Sequence, residues 1–504
     1  MSQTLPKACT VDIMLVSEGT YPYIRGGVSS WIHQLISGLP MFSFGIIFIG
    51  SRAQDYDEAK YTFPENLKHV EVHYLFEEKK HLPRKRKGNA KAFEALHTFY
   101  QNMQTQKPTF PKALQNIDFF TKQITQKDFL YSKESWLFMK HTYEKNAPEI
   151  PFIDYFWTVR NIHAPIWKIA NIVEKMPQAK LIHSPSTGYA GFLSFLASND
   201  KNIPFILTEH GIYTRERKID MLAAKWVTFH APTLLKEEPE EMNYIKEMWV
   251  KFFEKIGQLS YNQAEKVISL YPGAREIQID YGAQKSKTLV IPNGVDMHRL
   301  NALVEKRAPT TPKVVTLIGR VVSIKDIKTF IRAIAIAKQS MPEIEGWIVG
   351  AMDEEQTYAD ECVEMVNAFG LEKNLSFLGF QNIDDILPKS GLLTLTSISE
   401  GMPLVILEGF AAGLPCISTD VGSCKDLIFG ALDEEDIAIG KAGEVTTIAD
   451  PVMLAKHYIS YLENDVLWKN AQLNALKRVK RYYQEDLFLK RYEALYKEMT
   501  AWQA

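Results

Sequence analysis

The sequence predicts an α/β protein made of two doubly wound, Rossmann-like domains. Three observations predict it. Short apolar runs of strand length alternate with amphipathic stretches of helix length, the pattern of βαβ units around parallel sheets. The pattern lapses in a polar stretch with two prolines, 301–312, and restarts at Val314. Several runs end in glycine or polar turns, at the strand ends where open parallel sheets take their ligands.

In the first half, residues 11–16 read as a buried strand, followed by a polar and aromatic loop and then Gly26-Gly27. From there Val28, Ile32, Leu35 and Leu39 recur at helical spacing. Strand, glycine pair and helix together let a backbone come close to a phosphate or sugar, although a glycine pair also serves a plain turn. Residues 44–50 and 71–76 are the next strands. The composition then changes: Lys79, Lys80, Arg84, Lys85, Arg86, Lys87 and Lys91 cluster, and the chain to about Lys175 is helical and aromatic. This is an insertion in the first domain, about 79–175. Its basic cluster reads as a solvated loop or, more sharply, as a docking patch for a membrane or an acidic partner.

Strands resume at 179–183 and 204–208, and end in His183 and in Glu209-His210. These three are expected on the rim that carries Gly26 and Gly27; a histidine there serves either structure or chemistry. A helical stretch over 226–264, a short strand at 266–270 and a strand with a Pro-Asn-Gly turn at 288–296 complete a first domain placed at 1–300.

The second domain is placed at 301–484. Its strand 314–318 exits through Gly319-Arg320, and a helix runs from Lys325 to 339. Strands 345–350 and 375–378 follow, the latter ending in Gly379-Phe380, and then 391–396 and 415–419. Between the last two lies the most informative stretch, 397–413. Pro403 suits the first position of a helix that Gly413 stops, with Glu400 in the preceding turn and Glu408 on the second helical turn. The N–H groups of Met402, Leu404 and Val405 would face outward, where an anion sits favourably. Two carboxylates for sugar hydroxyls beside a phosphate cradle suit a nucleotide sugar. The same stretch also reads as a plain βαβ unit with one surface and one capping glutamate. Arg320 and Lys325 leave a strand end of the same sheet, and two cations at a helix N-terminus hold a diphosphate without a metal. In the tail, Phe488, Tyr492, Leu495 and Met499 are spaced to cover an apolar surface. The helix 485–504 is expected to pack back on the first domain.

With 504 residues, 46% hydrophobic and 23% charged, the chain can bury large cores. A net charge of −2 provides no global field for nucleic acid or anionic lipid. Cys9, Cys362, Cys416 and Cys424 are scattered, which favours a reducing compartment over a disulfide framework or zinc site. No leader peptide or span is apparent, the longest apolar run being 41–49, so a cytoplasmic location is expected.

Gly319-Arg320 with Lys325, the pair Glu400 and Glu408, the turn Ile291-Pro292-Asn293-Gly294-Val295-Asp296 and the loop Gly26-Gly27 together resemble the retaining glycosyltransferases of family four. Ser17-Glu18-Gly19-Thr20-Tyr21-Pro22, the stretch from Thr208 to Arg217 and the long insertion further resemble the transferases of Pel exopolysaccharide biosynthesis. The resemblance implies the GT-B fold, two Rossmann-like domains facing across a cleft. It implies a UDP-sugar donor, UDP-glucose first, a polysaccharide acceptor, and association with an inner-membrane polysaccharide synthase. It implies no metal or other cofactor. By resemblance, Arg320 and Lys325 hold the donor diphosphate, Glu408 the ribose and Glu400 a sugar hydroxyl. Amides at Met402 and Leu404 meet sugar and phosphate, Phe380 flanks the base, His210 lies against the donor sugar, and Gly26 and Gly27 lie nearest the phosphates and acceptor. Where the family has Gly-Gly-x-x-Glu, this chain has Gly422-Ser423-Cys424-Lys425-Asp426.

Three rivals stand beside this reading. Asp55-Tyr56-Asp57 has the look of the DxD of a metal-dependent transferase. A nicotinamide oxidoreductase shares the layers but needs GxGxxG after a strand, which is absent from the sequence. A non-catalytic sugar-nucleotide-binding subunit of a membrane synthase would bind donor without transferring it.

Overall fold

A computed structural model describes residues 5–77, 86–103, 114, 116–223 and 244–501. The chain forms two compact units. The first comprises Met1–Ser269, Arg275–Leu289 and Glu493–Ala504, the second Leu270–Ala274 and Val290–Tyr492.

The first unit is built on a seven-stranded sheet. Its strands are β1 (Thr10–Glu18), β2 (Phe44–Gly50), β3 (Leu67–Tyr74), β4 (Gln178–Ser184), β5 (Phe205–Glu209), β6 (Lys266–Ser269) and β7 (Thr288–Val290), in the order β3-β2-β1-β4-β5-β6-β7. From β3 to β6 every neighbouring pair is parallel. All seven β2 residues are buried, as expected of a strand covered on both faces. β3 starts four residues earlier than the sequence suggests, because Leu67 and Val70 are buried there while Phe76 is exposed.

The insertion is helical, with helices at Ala90–Met103, Gln126–Tyr131, Lys133–Asn146 and Phe152–Lys175. Thr125 and Asp128 form a reciprocal capping box at the second of these. Phe129 stacks on Trp167 at 4.1 Å, and the Trp167 indole N–H donates to Ile124 O at 2.5 Å. These rings share one core with Val11, Met14 and Ile47 of the sheet. Of the basic cluster, Lys79, Lys80, Arg84 and Lys85 lie outside the described residues, as does part of the expected helical stretch 226–264.

The second unit repeats the design with six strands. They are β8 (Val314–Ile318), β9 (Glu345–Val349), β10 (Leu375–Gly379), β11 (Leu392–Leu395), β12 (Cys416–Thr419) and β13 (Gly443–Thr446), in the order β10-β9-β8-β11-β12-β13 and parallel throughout. β13 has no counterpart in the sequence reading: four residues, Gly-Glu-Val-Thr, carry too little apolar signal. The boundary expected at 300 falls at 290, and the tail is two helices, Asp465–Tyr482 and Glu485–Ala501. The second of these begins at Glu485, where the sequence reading starts a helix. Val295 N donates to Tyr483 O at 2.9 Å and Glu485 N donates to Val295 O at 3.0 Å, so the Pro-Asn-Gly turn takes the backbone groups that would continue the helix. A Cβ on Gly294 would lie 2.7 Å from Gln484 O, so this close approach needs glycine.

The second tail helix is divided by residue between the units, 485–492 with the second and Glu493–Ala504 with the first. Phe488, Tyr492, Leu495 and Met499 are all buried.

Candidate active site

In the second unit β8 and β11 are neighbours, while the strands that follow them run to opposite edges of the sheet. At such a reversal the loops diverge and leave room for a ligand. Gly319 and Arg320 leave β8 there, and residues 397–400 leave β11. Lys325 closes a 3₁₀ turn, Ser323–Lys325, just ahead of the helix Ile327–Lys338. That turn is laced to the β11 exit, with Ile398 N on Ile324 O at 2.9 Å and Thr396 Oγ1 on Lys325 O at 2.8 Å.

The lacing brings Lys325 and Glu400 together. Lys325 Nζ donates to Glu400 Oε1 at 2.5 Å, and Ser397 Oγ donates to the same oxygen at 2.5 Å. Among the described residues no donor meets Oε2. The β12 exit supports this loop. Thr419 Oγ1 donates to Ser397 O at 2.7 Å and Ser423 N to Gly401 O at 2.9 Å. Gly422 has φ +55°, and a Cβ on it would lie 2.3 Å from Glu400 O. Only glycine lets the two loops sit so close.

The helix is Leu404–Ala411, so Pro403 is its N-cap rather than its first residue. Pro403 is extended, at ψ 111°, and its carbonyl takes Ile406 N at 3.2 Å. The Leu404 and Val405 N–H groups have no intrahelical acceptor. Met402 is buried and Leu404 half-buried. Glu408 lies on the second turn. Burial pushes its carboxyl above the ordinary range; Arg299 pulls it back, and Asp384, the partner of Arg299, adds to the rise.

Arg320 does not join the Lys325–Glu400 pair. It is exposed, and its guanidinium donates to Glu354 Oε1 at 2.5 Å. A phosphate would have to compete with that carboxylate. Phe380 follows β10 and is 76% exposed, so nothing in the unit claims its ring as core. The sequence offers no sign of Glu354 as a partner. Ser397 is signalled only by standing three residues before Glu400 in a tight turn.

In the first unit Gly26 is the N-cap of the helix Gly27–Gly38. Both Gly26 and Gly27 are exposed, and among the described residues no group beyond their chain neighbours and own helix backbone lies within 4 Å of where a Cβ would stand. His210 follows β5, half-buried, with the Trp31 ring edge-on at 4.6 Å. Burial pushes its imidazole down to about 3, so it is neutral. Its Nε2 is enclosed and without a hydrogen-bond partner among the described residues.

His183 and Glu209, expected on the same rim, are interior groups. His183 has Nδ1 on Tyr496 Oη and Nε2 on Thr208 Oγ1, both at 2.8 Å. Glu209 accepts from Tyr261 Oη at 2.6 Å, Gln278 Nε2 at 3.0 Å and Thr187 Oγ1 at 3.1 Å, and burial lifts its carboxyl to about 7. Strand ends point these side chains into the sheet's flank, and periodicity alone does not separate flank from rim. Asp55 takes the Ser51 hydroxyl at 2.5 Å and Asp57 lies 3.5 Å from Lys60. Among the described residues no group of three or more His, Cys, Asp or Glu side chains is placed to hold a metal ion.

Two doubly wound parallel sheets of this kind make up the GT-B fold. Residues 11–286 match the family described as "Domain of unknown function (DUF3492)", and residues 299–478 match "Glycosyl transferases group 1". The chain belongs to the DUF3492 family. Among curated relatives, the N-acetyl-alpha-D-glucosaminyl L-malate synthase of Bacillus anthracis is 29% identical over 27% of this chain and 33% of its own length. The UDP-Gal:alpha-D-GlcNAc-diphosphoundecaprenol alpha-1,3-galactosyltransferase of Escherichia coli is 30% identical over 33% of this chain and 46% of its own. The chain thus spans a third to a half of the length of these relatives. The crystal structure of Anabaena HepE in complex with UDP superposes with a TM-score of 0.58, covering 97% of this chain and 100% of that one at 15% identity. That likeness is one of fold.

Proposed function

We propose that the chain is a retaining glycosyltransferase of the PelF type, moving a hexose or N-acetylhexosamine from a UDP-sugar to a growing exopolysaccharide by a front-face, metal-independent route. The observation that carries the proposal is the pairing of Lys325 with one oxygen of Glu400 at the N-terminus of the Leu404–Ala411 helix. It sets a cation, a carboxylate oxygen left open and unsatisfied N–H groups beside one another. UDP in the HepE structure and UDP-Gal in the name of the Escherichia coli relative support the choice of donor.

In this mechanism the acceptor hydroxyl attacks the anomeric carbon on the face from which the diphosphate leaves, and a phosphate oxygen takes its proton. Lys325, Arg320 and the helix N-terminus stabilise the charge growing on the leaving oxygen, which is preorganised electrostatics rather than nucleophilic catalysis. Arg320 would exchange Glu354 for phosphate, and Lys325 would share its charge between phosphate and Glu400. Glu400 Oε2 accepts a hydroxyl of the donor sugar, Glu408 takes the ribose, and the backbone at Phe380 flanks the base. Neutral His210 lies against the donor sugar. Gly26 and Gly27 leave backbone space for phosphate and acceptor.

The test is turnover of UDP-glucose, UDP-galactose and UDP-N-acetylhexosamines with an oligosaccharide acceptor, in EDTA, with the product anomer read by NMR. Transfer with the donor's anomeric configuration kept is expected. Inversion, or abolition of transfer by EDTA, contradicts the mechanism. Normal donor binding with no transfer to any acceptor would favour a non-catalytic subunit of a synthase.

A further inference from the structure

The insertion has features that sugar transfer does not use. A cavity of about 720 Å³ opens among its helices, with Arg86, Lys87 and Lys133 and the rings of Tyr131, Trp136 and Phe156 in its lining. Among the described residues no acidic side chain lines it. Arg86 is neutralised by Asp128 at 2.5 Å, but among the described residues Lys87 and Lys133 have no carboxylate partner, and both are exposed.

Trp136 joins this cavity to an apolar surface. Its ring meets Phe152 at 5.4 Å and Phe156 at 6.0 Å, and Phe156 meets Trp157 at 5.4 Å. Trp136 and Trp157 are each 49% exposed, and their neighbours Leu137 and Ile153 are 45% and 62% exposed. Half-exposed tryptophans cost solvation in water unless something covers them, and with lysines at the edge they match the depth profile of a lipid–water interface. Arg160 lies over the rings of Tyr131, Phe156 and Trp157, so the cluster is held as a preformed surface.

We propose that this face of the insertion docks on a bilayer carrying anionic phospholipid. Trp136, Leu137, Ile153 and Trp157 enter the headgroup region, and the cavity takes a lipid phosphate between Lys87 and Lys133. The charge complementarity selects the occupant: an uncharged apolar partner would leave both ammonium groups unsatisfied, and a soluble anion would leave the tryptophans wet. None of these residues is assigned to the donor, so the docking surface stands whether or not the sugar-transfer reading does.

The test is co-sedimentation of the full chain with vesicles of phosphatidylcholine alone or mixed with phosphatidylglycerol, at low and high salt. Wild type is expected on the anionic vesicles at low salt, with binding falling roughly tenfold or more on neutral vesicles or in high salt. The double variants Lys87→Glu/Lys133→Glu and Trp136→Ser/Trp157→Ser should each lose vesicle binding while keeping the wild-type circular dichroism spectrum and donor binding. Absence of wild-type binding to anionic vesicles overturns the proposal, as does undiminished binding by folded Lys87→Glu/Lys133→Glu.

Discussion

Lys325 and Ser397 spend their hydrogen bonds on the same oxygen of Glu400, and that choice leaves the other oxygen for a ligand. Removing Lys325 takes away the proposed leaving-group cation and strands a carboxylate that is only 12% exposed. Lys325→Ala is therefore expected to lower kcat about a hundredfold or more in a steady-state assay; near-wild-type turnover would remove Lys325 from the mechanism. Glu209 makes a different kind of prediction. Its carboxyl titrates near 7 in the fold against an ordinary 4.5, so the folded chain keeps a proton that the unfolded chain releases. Its contribution to stability is complete below pH 4.5 and declines as pH rises to about 7. Glu209→Gln keeps the shape and removes the titration, so denaturation midpoints should fall less steeply over that range than in wild type. Arg478 is the fully buried partner of Asp436, at 2.7 Å, and also donates to the carbonyls of Ile428 and Gly440. Arg478→Ala leaves that carboxylate uncompensated and should cost about 3–5 kcal/mol in urea unfolding; a loss below about 1 kcal/mol would show the pair to be dispensable.

At the scale of elements, the loop 397–401 is held by its neighbours more than by itself. The exit of β12 reaches the exit of β11 only because Gly422 adopts a left-handed φ with no side chain. Gly422→Ala should push the Glu400 carbonyl aside and weaken UDP-sugar binding at least tenfold by calorimetry, with the circular dichroism spectrum kept; unchanged affinity would free the loop from this support. The sequence made β8, β11 and the Leu404–Ala411 helix legible, because each is a continuous apolar run bounded by Gly, Pro or a polar turn. It left β13 unseen, since an edge strand of four residues with a glutamate in it has no run to detect. The start of the second tail helix at 485 was legible but its cause was not: the break at Tyr483 and Gln484 comes from backbone hydrogen bonds to Val295, far away in sequence. The pairing of Lys325 with Glu400 is of the same kind. Both residues are legible as candidates, but that one neutralises the other depends on two strand exits meeting. Glu354 on Arg320 and the interior positions of His183 and Glu209 needed side-chain geometry that spacing does not carry.

For the whole molecule, two doubly wound sheets divide the work that the proposed reaction requires. In the proposal the second unit would supply the phosphate and sugar contacts at the reversal of its strand order, and Gly26, Gly27 and His210 of the first unit are candidates for the remainder. A net charge of −2 gives no long-range pull on a nucleotide, so donor affinity must come from these local groups. Among the described residues no helix is long and apolar enough to cross a membrane, so contact with a bilayer would depend on surfaces such as that of the insertion. The most direct measurement is a metal-free calorimetric titration with UDP-glucose, ADP-glucose and UDP-N-acetylhexosamines, in wild type and Glu408→Ala. Selective binding of a UDP-sugar by wild type, weakened at least tenfold in Glu408→Ala, is the predicted result. Equal affinity of the two proteins, or no binding of any UDP-sugar, would contradict a donor site built on the Leu404–Ala411 helix.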